Sequence, residues 1–261
     1  MQAKVKPFPK TKLPLLLNSA IVALALVGVV ALQQLQLDRP RLSTLTPEQQ
    51  EQQWGLRLQL LEQTPTLDFD NLIADWTFLN FIQYFGDDPA RLQTGYDLND
   101  DYFKLITQLD PRFVEIYLFL SSAVSFYQAD PELSIQLMDR GTDALSPTMH
   151  PDAFLVWRYK GLDQLLLLGD IQGSVRSHEM AARWAQASGN TELAEIYRRT
   201  AEFLKTDPDS TRVRFWGWQE VYYTAIDRQR QQKAEEELLK LGAKKQVDSQ
   251  GRVTFSLPES E

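Results

Sequence analysis

Residues 110–131 read DPRFVEIYLFLSSAVSFYQADP, and residues 150–171 read HPDAFLVWRYKGLDQLLLLGDI. In the first, Phe113, Tyr117, Leu120, Val124 and Tyr127 step by three or four; in the second, Phe154, Trp157, Gly161, Leu165 and Leu168 do the same. That spacing lines one face of an α-helix with apolar side chains. At an offset of 40, Ser134 matches Ser174, Gly141 matches Ala181, Ser121 matches Gly161, and Tyr117 matches Trp157. Two antiparallel helices approach closely only where side chains are short, so the pattern predicts repeated helix pairs.

Working outward, the starts of these helices carry their own marks. Thr46 and Pro47, with Gln49 three residues after the threonine, form a capping-box pattern. Asp110-Pro111, Asp130-Pro131, His150-Pro151 and Asp207-Pro208 repeat the theme of a capping side chain before a proline with preset φ. Asp87, Asp130, Asp170 and Asp207, separated by 43, 40 and 37 residues, are each expected to open the second helix of a pair. Strand signals are nearly absent before Val247, and the tail VDSQGRVTF suits a short hairpin. The body is expected to be all-α.

This pattern resembles the tetratricopeptide repeat, a helix–turn–helix unit with Gly-Asp at its turn and small residues on its second helix. Gly86-Asp87 and Gly169-Asp170 match the turn, Ser134 and Ser174 the first small position, and Gly141 and Ala181 the second. The departures are a period nearer 40, Ala129 before Asp130, and the family's first-helix glycine shifted to Gly161 or replaced by Ser121 or Ser122. ADWTFLNFIQYFGD at residues 74–87, with LDPRF downstream, is similar to uncharacterised bacterial, including cyanobacterial, membrane-anchored members of that superfamily. The resemblance covers roughly residues 70–220 and implies a helix-pair solenoid that binds proteins. Trp76, Phe119 and Tyr159 stand eleven residues before a turn aspartate; Tyr84, Tyr127 and Leu167 stand three before. By the family's stacking, Trp76, Tyr84, Phe119, Tyr127 and Tyr159 line a concave partner-binding groove, with Asn80 and Asp163 as polar contacts; a small rotation of the helices makes the same residues core.

The N-terminal region has a different composition. Residues 13–32, from Leu13 to Leu32, read LPLLLNSAIVALALVGVVAL without a charge. At ~1.5 Å per residue they cover about 30 Å, one bilayer core, and predict a transmembrane helix. Lys4, Lys6, Lys10 and Lys12 precede it, which places the N-terminus in the cytoplasm and the body in a periplasmic or lumenal space. A cleaved signal peptide shares the basic start, with Val29-Val30-Ala31 as its cleavage site. The apolar run exceeds the usual ~7–15 residues of such peptides, which favours a retained signal anchor. The expected plan is a basic tail (1–12), the transmembrane helix (13–32), a linker (33–46), a helical repeat domain (47–242) and a C-terminal tail (243–261).

Charge and composition narrow the chemistry. The net charge of −8 divides into four lysines in residues 1–12 and 23 basic against 35 acidic groups in the rest. So acidic a body is a poor nucleic-acid binder. Absence of cysteine excludes a disulfide framework, thiolate catalysis and thiolate-ligated metals. Of the two histidines, His178 begins a zincin-like His-Glu-Met-Ala-Ala in which Ala182 stands where a second ligand is needed, and is expected to be a core residue; His150 is expected in a loop or cap. Phosphate-loop, dinucleotide and serine-elbow motifs are absent, so no metal, cofactor or small-molecule substrate is expected. Asp97, Asp100 and Asp101 are the carboxylates a glycan-cleaving enzyme would use, but they fall where a helix should start. Glu235, Glu236 and Glu237 with Lys240, Lys244 and Lys245 suit a solvated helix end, and Arg212, Arg214, Trp216 and Trp218 suit either the core of the last helix or a contact surface. Together these features predict a membrane-anchored, non-enzymatic adaptor or assembly factor for a membrane-associated protein partner; the alternatives are an accessory subunit of a membrane complex and a periplasmic carboxylate-dependent enzyme.

Overall fold

The computed structural model describes residues 13–37 and 45–258. The chain divides into two units, Met1–Thr46 and Pro47–Glu261. The expected basic tail, residues 38–44 of the expected linker and residues 259–261 lie outside the described residues.

The first unit contains one helix, α1 (Leu13–Leu37). The expected transmembrane helix is corrected here: among the described residues, no helix is long and apolar enough to cross a membrane.

The second unit is helical throughout, apart from one hairpin. Its elements are α2 (Pro47–Gln63), α3 (Asp70–Phe85), α4 (Asp88–Thr94), α5 (Asn99–Leu109), α6 (Ile116–Leu120), a π-helical segment π1 (Ser121–Tyr127) and α7 (Pro131–Ala144). They continue with α8 (Phe154–Asp163), a second π-helical segment π2 (Gln164–Leu168), α9 (Ile171–Ala187), α10 (Thr191–Thr206), α11 (Thr211–Thr224) and α12 (Arg228–Lys240). Strands β1 (Lys244–Val247) and β2 (Val253–Ser256) pair antiparallel, Lys244 opposite Ser256 and Val247 opposite Val253. Neighbours in sequence pack in turn, α7 on α8, α8 on α9, α9 on α10 and α11 on α12, an arrangement that fits an α-solenoid loosely.

The capping aspartates act locally. Asp87 accepts from Ala90 N at 3.3 Å, Asp130 from Leu133 N at 3.1 Å, and Asp170 from Gly173 N at 2.8 Å. Each thereby satisfies an orphan donor of the first helical turn. Three other expected starts do not cap helices. Asp110 and His150 accept from the amides two residues on, of Arg112 and Asp152, and helices begin only at Ile116 and Phe154. Asp207 ends α10, while Asp209 accepts from Thr211 N at the start of α11.

Small residues mark close approaches, as the repeat spacing requires. A Cβ on Gly141 of α7 would lie 2.3 Å from the Tyr117 ring, and one on Gly161 of α8 would lie 2.7 Å from the His178 ring. The main core gathers Phe81, Phe103, Ile106, Ile116, Tyr117 and Phe154; a second cluster joins Phe215, Trp218, Val221 and Tyr222 of α11 to Leu238 and Phe255.

Candidate functional site

The expected aromatic groove does not form as one surface. Tyr84, Asn80 and Asp163 are buried. Phe119 is half-buried edge-on against Phe78, Tyr127 packs edge-on against Phe85 and Tyr96, and Tyr159 is half-buried beneath the Arg158 guanidinium. Helical phase explains the failure. Positions eight residues apart on a regular helix are about 80° out of register, enough to put Trp76 in water and Tyr84 in the core. Between Phe119 and Tyr127 the wider π1 turn shifts the phase again.

Asp163 has a different role from the one expected. Its carboxylate accepts from Ser121 Oγ at 2.6 Å, Ser134 Oγ at 3.0 Å and Ser125 Oγ, which joins α8 to π1 and α7. Burial pushes its pKa up to about 6 against the pull of the three hydroxyls. A group with no exposed surface and three internal donors is an architectural tie. His178 is likewise buried, bonded through Nδ1 to Ser174 O at 2.8 Å, and burial lowers its pKa.

Trp76 belongs to another surface. The sixteen residues of α3, DNLIADWTFLNFIQYF, are apolar on two sides. Ala74, Thr77, Phe81 and Tyr84 form the buried side over α5. Leu72, Trp76, Leu79 and Ile82, spaced by three and four, form an outward side; Trp76 is 59% exposed and Leu79 56%. An ordinary surface helix has one apolar stripe and a polar opposite face. The stripe continues into the loop before α3. Phe69 is exposed, and Leu67 is 78% exposed in a tight turn closed by Phe69 N to Thr66 O. Both central residues of that turn, Leu67 and Asp68, hold left-handed backbone at φ 51° and 67°, a conformation costly for residues other than glycine.

Alongside this stripe runs a furrow. α2 rests on α4 and α5, and α3 rests on α5. Trp54, Arg57, Leu58 and Leu61 of α2 and Thr77 and Asn80 of α3 line a narrow crevice with Tyr102 of α5. The Tyr102 hydroxyl is buried without a hydrogen-bond partner, and burial raises its pKa. Leu56 and Leu60 add exposed apolar surface on α2.

Tyr84, whose ring lies 5.4 Å from that of Tyr102, is braced. Tyr84 Oη donates to Glu51 Oε1 at 3.0 Å and accepts from Leu98 N at 3.2 Å. The Arg91 guanidinium lies 3.7 Å from the centre of the Tyr84 ring, donates to Gly95 O at 2.8 Å and pairs with Glu51 at 3.4 Å. One buried cation thus links α2, α3 and α4.

The candidate catalytic carboxylates are engaged elsewhere. Asp97 pairs with Arg230 at 2.6 Å, while Asp100 and Asp101 both pair with Lys104. Among the described residues no group of three or more His, Asp or Glu side chains is placed to hold a metal ion. What the periodicity missed is the outward stripe of Leu67, Phe69, Leu72, Leu79 and Ile82, although the scarcity of charge in α3 carried the signal. No family model matches this chain, and comparisons with curated proteins and with solved structures find no match.

Proposed function

We propose that this chain is an adaptor or assembly factor, a helical-repeat scaffold of the tetratricopeptide-like kind, which binds a partner protein along the outward face of α3. The observation that carries this reading is Trp76 with Leu72, Leu79 and Ile82, standing in water on a helix whose opposite side is core. A contiguous apolar patch of that kind on a folded surface marks an interaction site. Complete burial of a leucine or isoleucine side chain gains roughly 1.5–3 kcal/mol, and an aromatic anchor adds large area with few rotamers to freeze. The Glu51–Arg91–Tyr84 brace supports the reading further, since a rigid face loses less entropy on binding.

A photoreactive residue in place of Leu79 tests the proposal, with the same residue in place of exposed Phe203 on α10 as control. A distinct adduct from position 79, lost when Trp76→Ser is added, supports a partner on this face. Identical adducts from both positions, or an adduct indifferent to Trp76→Ser, would overturn it.

A further inference from the structure

The charge around the α3 face specifies the kind of partner. Residues 58–90 contain six acidic residues, Glu62, Asp68, Asp70, Asp75, Asp87 and Asp88, and no lysine or arginine; the cations bounding the stretch are Arg57, held 5.0 Å from the Trp54 ring, and Arg91, buried against Tyr84. Asp75 lies within the exposed face itself, between Leu72 and Leu79 along the helix. Asp68 precedes Phe69 in the strained turn, and Asp87 and Asp88 stand just beyond the far end of α3. None of the six forms a salt bridge among the described residues. The contrast with α10 is direct. There the exposed Ile196 and Phe203 are interspersed with Arg198, Arg199 and Lys205, which pair with Glu195, Glu179 and Glu202.

Resting on the partner-binding reading above, we infer that the α2–α3 face receives a basic amphipathic helix, whose apolar stripe covers Trp76 and Leu79 and whose flanking lysines or arginines meet the acidic rim. Leu72, Trp76, Leu79 and Ile82 form an exposed ridge at helical spacing on α3, against which a further helix packs its own side chains. The strands among the described residues are those of the β1–β2 hairpin, which packs through Phe255 on Tyr222 of α11, so an extended peptide on the α3 face finds no backbone ladder to join. The acidic rim contributes modestly to affinity, because exposed pairs are each worth only ~0.2–1 kcal/mol. Its larger effects are on encounter rate and on excluding acidic partners. The same sign of charge disfavours an anionic lipid surface, which attracts basic rather than acidic protein faces.

The test uses the full-length chain and three synthetic peptides. One is an amphipathic helix with leucines on one side and lysines on the other. The second replaces every lysine by glutamate, and the third scatters the first peptide's residues so that no stripe forms. Fluorescence anisotropy is expected to show the lysine helix binding about tenfold or more tightly than either of the others, with affinity falling as salt rises. Trp76→Ser combined with Leu79→Ser should weaken that binding at least about tenfold. Asp75→Lys should weaken it several-fold, and thermal melting should show both variants folded. Equal binding of the scattered peptide, or binding indifferent to Trp76→Ser with Leu79→Ser, overturns the inference. So does Trp76-dependent adsorption to phosphatidylserine vesicles, or self-association that the double substitution abolishes. If the glutamate helix binds the Trp76 face as well as the lysine helix, the basic assignment falls while the partner-binding reading stands. If no peptide shows Trp76-dependent binding but position 79 cross-links a distinct partner, again only the basic helix is rejected. Failure of both experiments rejects both.

Discussion

Ser134 and Asp163, 29 residues apart in sequence, meet at 3.0 Å in the interior of the protein, where the serine hydroxyl donates to the carboxylate. With Ser121 and Ser125 it makes a buried anion held by three neutral donors. Hydrogen bonds from hydroxyls do not repay the full desolvation of a carboxylate, so the ionised form is stored at a cost.

That cost predicts a pH dependence. Asp163 has its pKa raised from 3.8 to about 6 in the folded protein, a difference worth about 3 kcal/mol. Below pH 4 both folded and unfolded states hold the proton and no penalty applies. Between pH 4 and 6 the unfolded state ionises first, so stability falls as pH rises; above pH 6 the loss is complete. Asp163→Asn removes this term. Denaturant unfolding should find the variant similar to the parent near pH 4 and progressively more stable than it up to about pH 6.5, with a constant gap above. His178 acts in the opposite sense: its lowered pKa gives stability that is present above its unfolded pKa and lost as pH falls. That term is common to both proteins and cancels. Parallel curves for parent and variant would show that Asp163 holds the same proton in both states.

Removing the Arg91 cation should be severe. Arg91→Met leaves Glu51 without its buried partner, takes the guanidinium from the Tyr84 ring and frees Gly95 O. Breaking a buried pair from one side costs about 3–5 kcal/mol. Arg91→Lys should restore only part of it, because an ammonium neither stacks on the ring nor reaches two acceptors in the same fork. Denaturant midpoints for the two variants check both statements.

At Gly217 of α11, a Cβ would lie 2.5 Å from the carbonyl oxygen of Leu166. That atom is backbone within π2, and the next carbonyl, of Leu167, accepts from Trp218 Nε1 at 3.0 Å. Neither side can give way by a rotamer change. Gly217→Ala should cost about 1–3 kcal/mol, read as a lowered melting temperature. Gly189→Ala, where a Cβ meets nothing but the backbone is left-handed at φ 86°, should cost only the ~1–2 kcal/mol of that conformation.

Trp76→Ser with Leu79→Ser should leave folding stability within about 0.5 kcal/mol of the parent, because surface substitutions away from packed contacts are near neutral. A large fall in melting temperature would mean that these side chains support the fold.

Part of this architecture was legible because it is local. Asp87, Asp130 and Asp170 cap helices through their own neighbours three residues on, so spacing alone placed them. Gly141 and Gly161 announced close approaches by lacking side chains where the repeat needed room. Asp110, His150 and Asp207 carried the same mark before proline and did not cap, since turns used those side chains or the preceding helix ended there. The aromatic groove failed for a different reason. Its positions eight residues apart are about 80° out of register even on a regular helix such as α3, and π1 shifts the phase again in the middle of the expected ladder.

By itself the sequence determined that the body is helical, that it lacks cysteine chemistry, and that the charged residues of 58–90 are all acids. These follow from residue identity and short-range spacing, which every conformation of the chain shares. Only the tertiary structure decided which apolar side chains remain in water. α3 offers two apolar sides, and α5 covers the one bearing Phe81 and Tyr84, leaving Trp76 and Leu79 exposed. Asp163 lost its expected place in a groove because serines 29 to 42 residues away fold around it. Burial belongs to pairs of elements brought together by long-range packing, so the residues of one helix do not specify it.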